Sequence, residues 1–143
     1  MNGPIIVCGP IARDYTKSGP NSKKCYEKQL ELSAKGLRVT WDDSPKNRAR
    51  WGDIFAFVHH GLHVTFRRVE GVSLPSERPP SWETNVGQDV RNRNVLHLSF
   101  DSVTLSWEQW LELGGWKKTQ RTQTMTNPTQ LLAFLEGKLH IEI

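Results

Sequence analysis

The stretch Gly52-Asp53-Ile54-Phe55-Ala56-Phe57-Val58-His59-His60-Gly61-Leu62-His63-Val64-Thr65-Phe66-Arg67-Arg68 decides how this chain folds. From Ile54 to Val58 it has no polar position at all. A strand that is apolar on both sides belongs in the middle of a sheet, with material packed against each face. Gly61 then offers a turn, and beyond it Leu62, Val64 and Phe66 alternate with His63, Thr65 and Arg67. A period of two marks a strand with one buried and one polar face, so a hairpin is expected here, its polar face carrying Arg67.

On the N-terminal side, Ile5 to Cys8 lies between Pro4 and Gly9-Pro10 and has the short apolar run of a buried strand. From Asn21 or Ser22 to Lys35 a capping residue leads, Gly36 follows, and Tyr26, Leu30, Ser33 or Ala34, and Leu37 recur at helical spacing. Residues 37–41 alternate as a strand does, and 42–52 form a polar, basic loop. On the C-terminal side, residues 73–93 hold Pro75, Pro79, Pro80 and Gly87 around Trp82, a loop long enough to be functional or disordered. Val95 to Phe100 alternates as a further strand. Ser106 and Gln109 have the spacing of a capping box, opening a helix over 107–113 that Gly114 stops. Pro128 opens a second helix, closed by Gly137, and Leu139, Ile141 and Ile143 read as a final strand. The order predicts one α+β domain over residues 1–143: a mixed, mostly antiparallel sheet curled into an open barrel, with three peripheral helices.

A chain of 143 residues buries roughly 65–70 % of its unfolded surface, enough for a core without staples. No apolar run approaches the ~18 residues of a membrane span, and the N-terminus has neither the basic nor the long apolar region of a secretory signal. Residence inside a cell, in cytoplasm or nucleus, is therefore expected, with no membrane partner. Cys8 and Cys25 show neither redox nor zinc spacing and read as reduced, structural thiols.

The formal charge of +4 is modest, but its distribution is uneven. Lys46, Arg48, Arg50, Arg67 and Arg68 face a single acid, Asp53, between positions 46 and 68, and Lys117, Lys118 and Arg121 form a second basic group. Tryptophan is abundant at six residues, and several of them interleave with these cations: Trp41 and Trp51 around Lys46, Arg48 and Arg50; Trp82 ahead of Arg91 and Arg93; Trp116 beside Lys117 and Lys118. Nucleic-acid binding requires cations for phosphates and flat rings for exposed bases, and both recur together. The structural reading of the same pattern is rings packed beneath solvated cations, and for Trp107 and Trp110, on a helix that must bury a face, it is the favoured one.

Catalytic signals are sparse. His59, His60 and His63 surround the Gly61 turn, but successive strand residues point to opposite faces, so His59 and His60 do not share an ion and no metal is expected. Asp53 and Glu70 stand on strands, yet no Glu-x-Lys follows to complete the carboxylate set of a magnesium-dependent nuclease. There is no nucleophile elbow and no phosphate-cradling glycine loop, so no cofactor is called for and the reading leans away from an enzyme.

The run Val39-Thr40-Trp41, the polar loop after it, Gly52 to Phe57 and then Val64 to Val72 resembles the EVE and YTH branch of PUA-like domains over residues 37–72. That resemblance implies an open barrel in which an aromatic cage receives a modified base. Carried over by position, it makes Trp41 a cage wall, Asn47 a base contact, and Trp51 or Trp82 the opposing wall. Ser81 to Gln88, Arg93 to Ser99 and Trp107 to Trp110 are also similar to segments of proteins from large DNA viruses, a likeness that implies no activity.

The reading that follows is a non-catalytic nucleic-acid reader, DNA more than RNA, in which Trp41 and one of Trp51 and Trp82 sandwich a flipped or unpaired base. Lys46, Arg48, Arg50, Arg67, Arg91, Arg93, Lys117, Lys118 and Arg121 would anchor phosphates. Two other classes stay open: an interaction or structural module, viral in type, whose exposed tryptophans meet a protein partner, and a small metal-dependent nuclease.

Overall fold

The computed structural model describes residues 3–11, 23–36, 39–43, 47–73, 94–119 and 121–139. Among them are seven strands and three helices, in the order β1 (Ile6–Pro10), α1 (Lys23–Ala34), β2 (Val39–Asp43), β3 (Ile54–His59), β4 (His63–Ser73), β5 (Asn94–Leu98), β6 (Val103–Ser106), α2 (Trp107–Glu112), β7 (Gln123–Thr124) and α3 (Thr129–Glu136). The architecture is α+β with a mixed sheet. Its strand path runs β2-β5-β4-β3-β1-β7, with β6 beside β4, and does not close on itself.

β3 is the expected central strand: Ile54, Phe55, Ala56, Phe57 and Val58 are all buried. It pairs antiparallel with β4 and parallel with β1, Ile6 opposite Ile54 and Pro10 opposite Val58. A parallel neighbour needs a long crossover, which the chain between β1 and β3 provides through α1 and β2.

The two faces of β1 and β3 feed two separate cores. Val7, Phe55 and Phe57 point to one face, where Trp41 and Val39 of β2, Leu96 and Leu98 of β5 and Tyr26 of α1 cover them. Ile6, Cys8, Ile54, Ala56 and Val58 point to the other, beneath Trp110 of α2 and Leu131 and Leu135 of α3. β4 joins the two halves of the sheet. Its first part pairs with β3 and β6, and after an irregularity between Val69 and Gly71 its second part pairs with β5. The sheet bends there, which carries β5 and β2 over the Phe55 and Phe57 rings.

Helix α2 starts as its spacing predicts. The Ser106 hydroxyl accepts from the Gln109 amide at 3.2 Å, and the Gln109 side chain accepts from the Ser106 amide at 3.1 Å. At its far end the Trp110 ring lies on Gly115 so closely that a Cβ there would fall 2.1 Å from it. Only glycine fits, and the approach lets the indole donate to the Trp116 carbonyl at 2.9 Å.

Several expectations change. The hairpin does not have one polar face: Thr65 and Arg67 are buried and Leu62, at the tip, is exposed. Both faces of β4 from Val64 to Arg67 are covered, so its period of two sorts polar from apolar neighbours instead of solvent from core. Strand β6, between Asp101 and the capping box, has no counterpart in the expected order. Pro128 stands at the cap of α3 rather than inside its first turn. The 74–93 part of the long loop and residues 140–143, which would form the closing strand, lie outside the described residues.

Candidate nucleic-acid interface

Residues 47–53 join β2 to β3 and are held in place from several sides. The Asp53 carboxylate accepts from the Ile5 amide at 3.0 Å through one oxygen and from the Arg50 amide at 2.9 Å through the other. The Asp53 amide donates to the Arg50 carbonyl at 3.0 Å, and the Gly52 amide donates to the Val69 carbonyl at 2.9 Å. Ala49 is buried in the core beside Phe55 and Phe57. Gly52 has φ of 94°, a left-handed conformation that other residues reach only at a cost. Arg48 adopts the same region, with φ of 55°, without being glycine. Such a residue persists only where its surroundings dictate the backbone path.

What this pinned loop presents is one aromatic ring and two cations. Trp51 is 70 % exposed, the most exposed large hydrophobic side chain among the described residues, and Arg48 and Arg50 beside it are exposed as well.

The second basic group precedes β7, the strand that ends the sheet beyond β1. β7 pairs antiparallel with β1, Thr124 opposite Val7 and Gln123 opposite Cys8. The Thr124 hydroxyl donates to Asn47 Oδ1 at 3.1 Å, tying the loop to β7 across 77 positions of sequence. Arg121, exposed, has its Nε 3.4 Å from Gln123 Oε1, and Lys117 and Lys118 ahead of it are exposed. Asn47 is thus placed by a threonine that sequence reasoning did not single out. Gly52-Asp53 before an apolar run was a signal for a turn latch, and it reads that way in retrospect because both carboxylate oxygens meet backbone amides.

Two of the expected contacts are elsewhere. Trp41 is wholly buried, its ring meeting Phe57 edge-on at 4.9 Å and Tyr26 at 6.4 Å, so neither of its faces is open to a base. Arg67 is buried too. Its guanidinium donates to the Ser99 and Phe100 carbonyls at 2.7 and 2.9 Å, stapling the bend between β5 and β6, and burial lowers its pKa. Arg68 binds the Leu139 carbonyl at 2.6 Å and Glu70 at 2.7 Å. Cations in the middle of a bent sheet serve its carbonyls rather than an external phosphate. Lys46, Trp82, Arg91 and Arg93 lie outside the described residues.

The histidines separate as alternation requires. His59 stacks on His63 at 4.4 Å and meets the edge of Tyr26 at 4.6 Å, while His60 turns the other way onto Trp107 at 4.9 Å. Burial first, then the charges of His63 and Lys23, holds His59 down to about 4. Among the described residues no group of three His, Cys, Asp or Glu side chains could hold a metal ion. Asp53 and Glu70, the carboxylates a nuclease would need, are engaged with backbone amides and with Arg68.

Comparison of the chain with family models, with curated proteins and with solved structures gives no match.

Proposed function

We propose that this chain is a non-catalytic nucleic-acid-binding module built as an open PUA-like barrel, in which Trp51 stacks on a flipped or unpaired base and Arg48 and Arg50 hold the adjacent phosphates. The observation that carries this reading is the exposed Trp51 ring, preceded by the exposed Arg48 and Arg50, on a loop whose backbone is fixed by Asp53 and Gly52. Stacking costs least when the ring is already in place, because little conformational freedom is lost on binding. Compared with the cage that the resemblance implies, Trp51 takes the role of open wall, and Trp41 forms the core that supports β3.

The test is titration of labelled single-stranded and duplex oligonucleotides, DNA and RNA, plain and methylated, at several salt concentrations. Trp51→Ala should weaken binding about 5- to 150-fold with little change in salt slope, since stacking contributes about 1–3 kcal/mol per base. Arg50→Ala should instead reduce the slope of log affinity against log salt by about 0.7–1. Binding that ignores both substitutions would overturn the proposal and favour Trp51 as the anchor of a protein interface.

A further inference from the structure

The two segments that carry exposed cations are distant in sequence but tied together in the fold. The Thr124–Asn47 hydrogen bond joins the Arg48–Trp51 loop to the chain that carries Arg121. From there the direction of that chain is settled by its contacts with β1. Met125 donates to the Ile6 carbonyl at 2.8 Å, Thr124 and Gln123 stand opposite Val7 and Cys8, and the Thr122 hydroxyl oxygen is 3.6 Å from where a Gly9 Cβ would sit. Arg121 therefore lies toward the Pro10 end of β1. The Trp51 loop is latched at the other end, where Asp53 holds the Ile5 amide. The span of β1 between these points is five steps of about 3.3 Å, about 17 Å in all.

We infer that the Trp51 loop and Arg121, with Lys117 and Lys118 ahead of it in the chain, belong to one binding track that follows β7, and that its ligand is an extended single strand of at least about four nucleotides. The inference rests on the reading of Trp51 as a base-stacking ring and adds strandedness and length to it. An indole this exposed offers its face to a base only when that base is unpaired, which favours a single strand over a duplex. A cation toward the far end of a strand about 17 Å long is out of reach of a dinucleotide, which has a single internal phosphate. It is within reach of a longer strand whose backbone follows β7. Lys118 and Arg121 then act on phosphates beyond the stacked base, and Thr124 is a positioning residue that keeps the two segments in register.

The experiment measures binding of single-stranded oligonucleotides of two, four, six and eight nucleotides, and of a duplex, to the parent, Trp51→Ala, Lys118→Ala, Arg121→Ala and Thr124→Val, each with its fold checked by circular dichroism. Affinity should rise between two and about six nucleotides and then level off. Lys118→Ala and Arg121→Ala should each lower the salt slope by about 0.7 for the six-nucleotide strand and leave the dinucleotide unaffected. Thr124→Val should reduce the gain in affinity with length while leaving the dinucleotide unchanged. If Trp51→Ala weakens all lengths but Lys118→Ala and Arg121→Ala leave every slope unchanged, the track is overturned and the stacking reading survives. If Trp51→Ala changes nothing, the stacking reading falls and takes the track with it. A duplex or a poly-glutamate peptide that binds as tightly as the six-nucleotide strand would overturn the single-strand assignment in favour of a general polyanion surface.

Discussion

Trp41 and Trp51 are ten positions apart, on either side of the same polar and basic loop, yet one is fully buried and the other 70 % exposed. Trp41 sits in the middle of β2, opposite Leu96, and the bend of β4 carries that strand pair over Phe55 and Phe57. Trp51 sits in a turn whose backbone is tied down by Asp53 and by the Val69 carbonyl, with its ring left outside. Burial of a large ring is thus decided by the strand that carries it and by what that strand folds over. A wholly buried tryptophan supports the architecture, and one left outside the core has a face open to a ligand.

The contrast can be broken most directly by removing each ring. Trp41→Ala should cost about 3–5 kcal/mol, as emptying a core aromatic site does, and lower the melting temperature accordingly. Trp51→Ala should stay within about 0.5 kcal/mol of the parent, since it empties no cavity. Equal losses at the two positions would mean that Trp51 packs in solution, and its role as an open ring would have to be abandoned.

Next in size is the latch. Asp53→Ala strips the acceptor from the Ile5 and Arg50 amides and should cost about 2–3 kcal/mol in denaturant melts, with Asn recovering part because its single oxygen can serve one of the two. The same variant should weaken oligonucleotide binding, because the Trp51 loop would lose its fixed path. Unchanged affinity in a destabilised Asp53→Ala protein would show that rigidity of the loop is irrelevant to binding.

The buried side has its own pH signature. His59 stays neutral in the folded protein down to about 4, whereas a free histidine takes up its proton near 6.5. Its contribution is therefore fully present above 6.5 and is lost as pH falls from there toward about 4. His59→Phe should flatten that part of the stability curve. Retention of the full slope in His59→Phe would place the titration elsewhere.

The smallest expected effect separates stability from binding within the loop itself. Arg48 holds a left-handed backbone, so Arg48→Gly should stabilise the fold by about 1 kcal/mol while lowering the salt slope of nucleic-acid binding. A melting temperature that falls in Arg48→Gly would show that the arginine side chain contributes more by its contacts than it costs by its backbone.

Much of the fold was legible from local pattern. The apolar run Ile54 to Val58 is the central strand, and Ser106 and Gln109 form the capping box, because these features depend on period and on bonds between near neighbours. The hairpin was legible and its sidedness was not: alternation distinguishes two faces but does not say whether the second meets water or another part of the sheet. For that reason Thr65 and Arg67, polar by type, are interior.

By itself, then, the sequence determined that a central apolar strand runs from Ile54 to Val58, that a capping box opens α2, and that basic and aromatic residues gather in two segments. The tertiary structure alone decided which of them are available. It drew Arg67 and Arg68 inward to carbonyls, folded Trp41 into the core, left Trp51 outside and brought Asn47 to Thr124. Local elements follow from the backbone sterics and periodicity of neighbouring residues, whereas exposure depends on contacts between residues far apart in the chain. Such contacts arise only once β4 bends and the sheet acquires two covered faces.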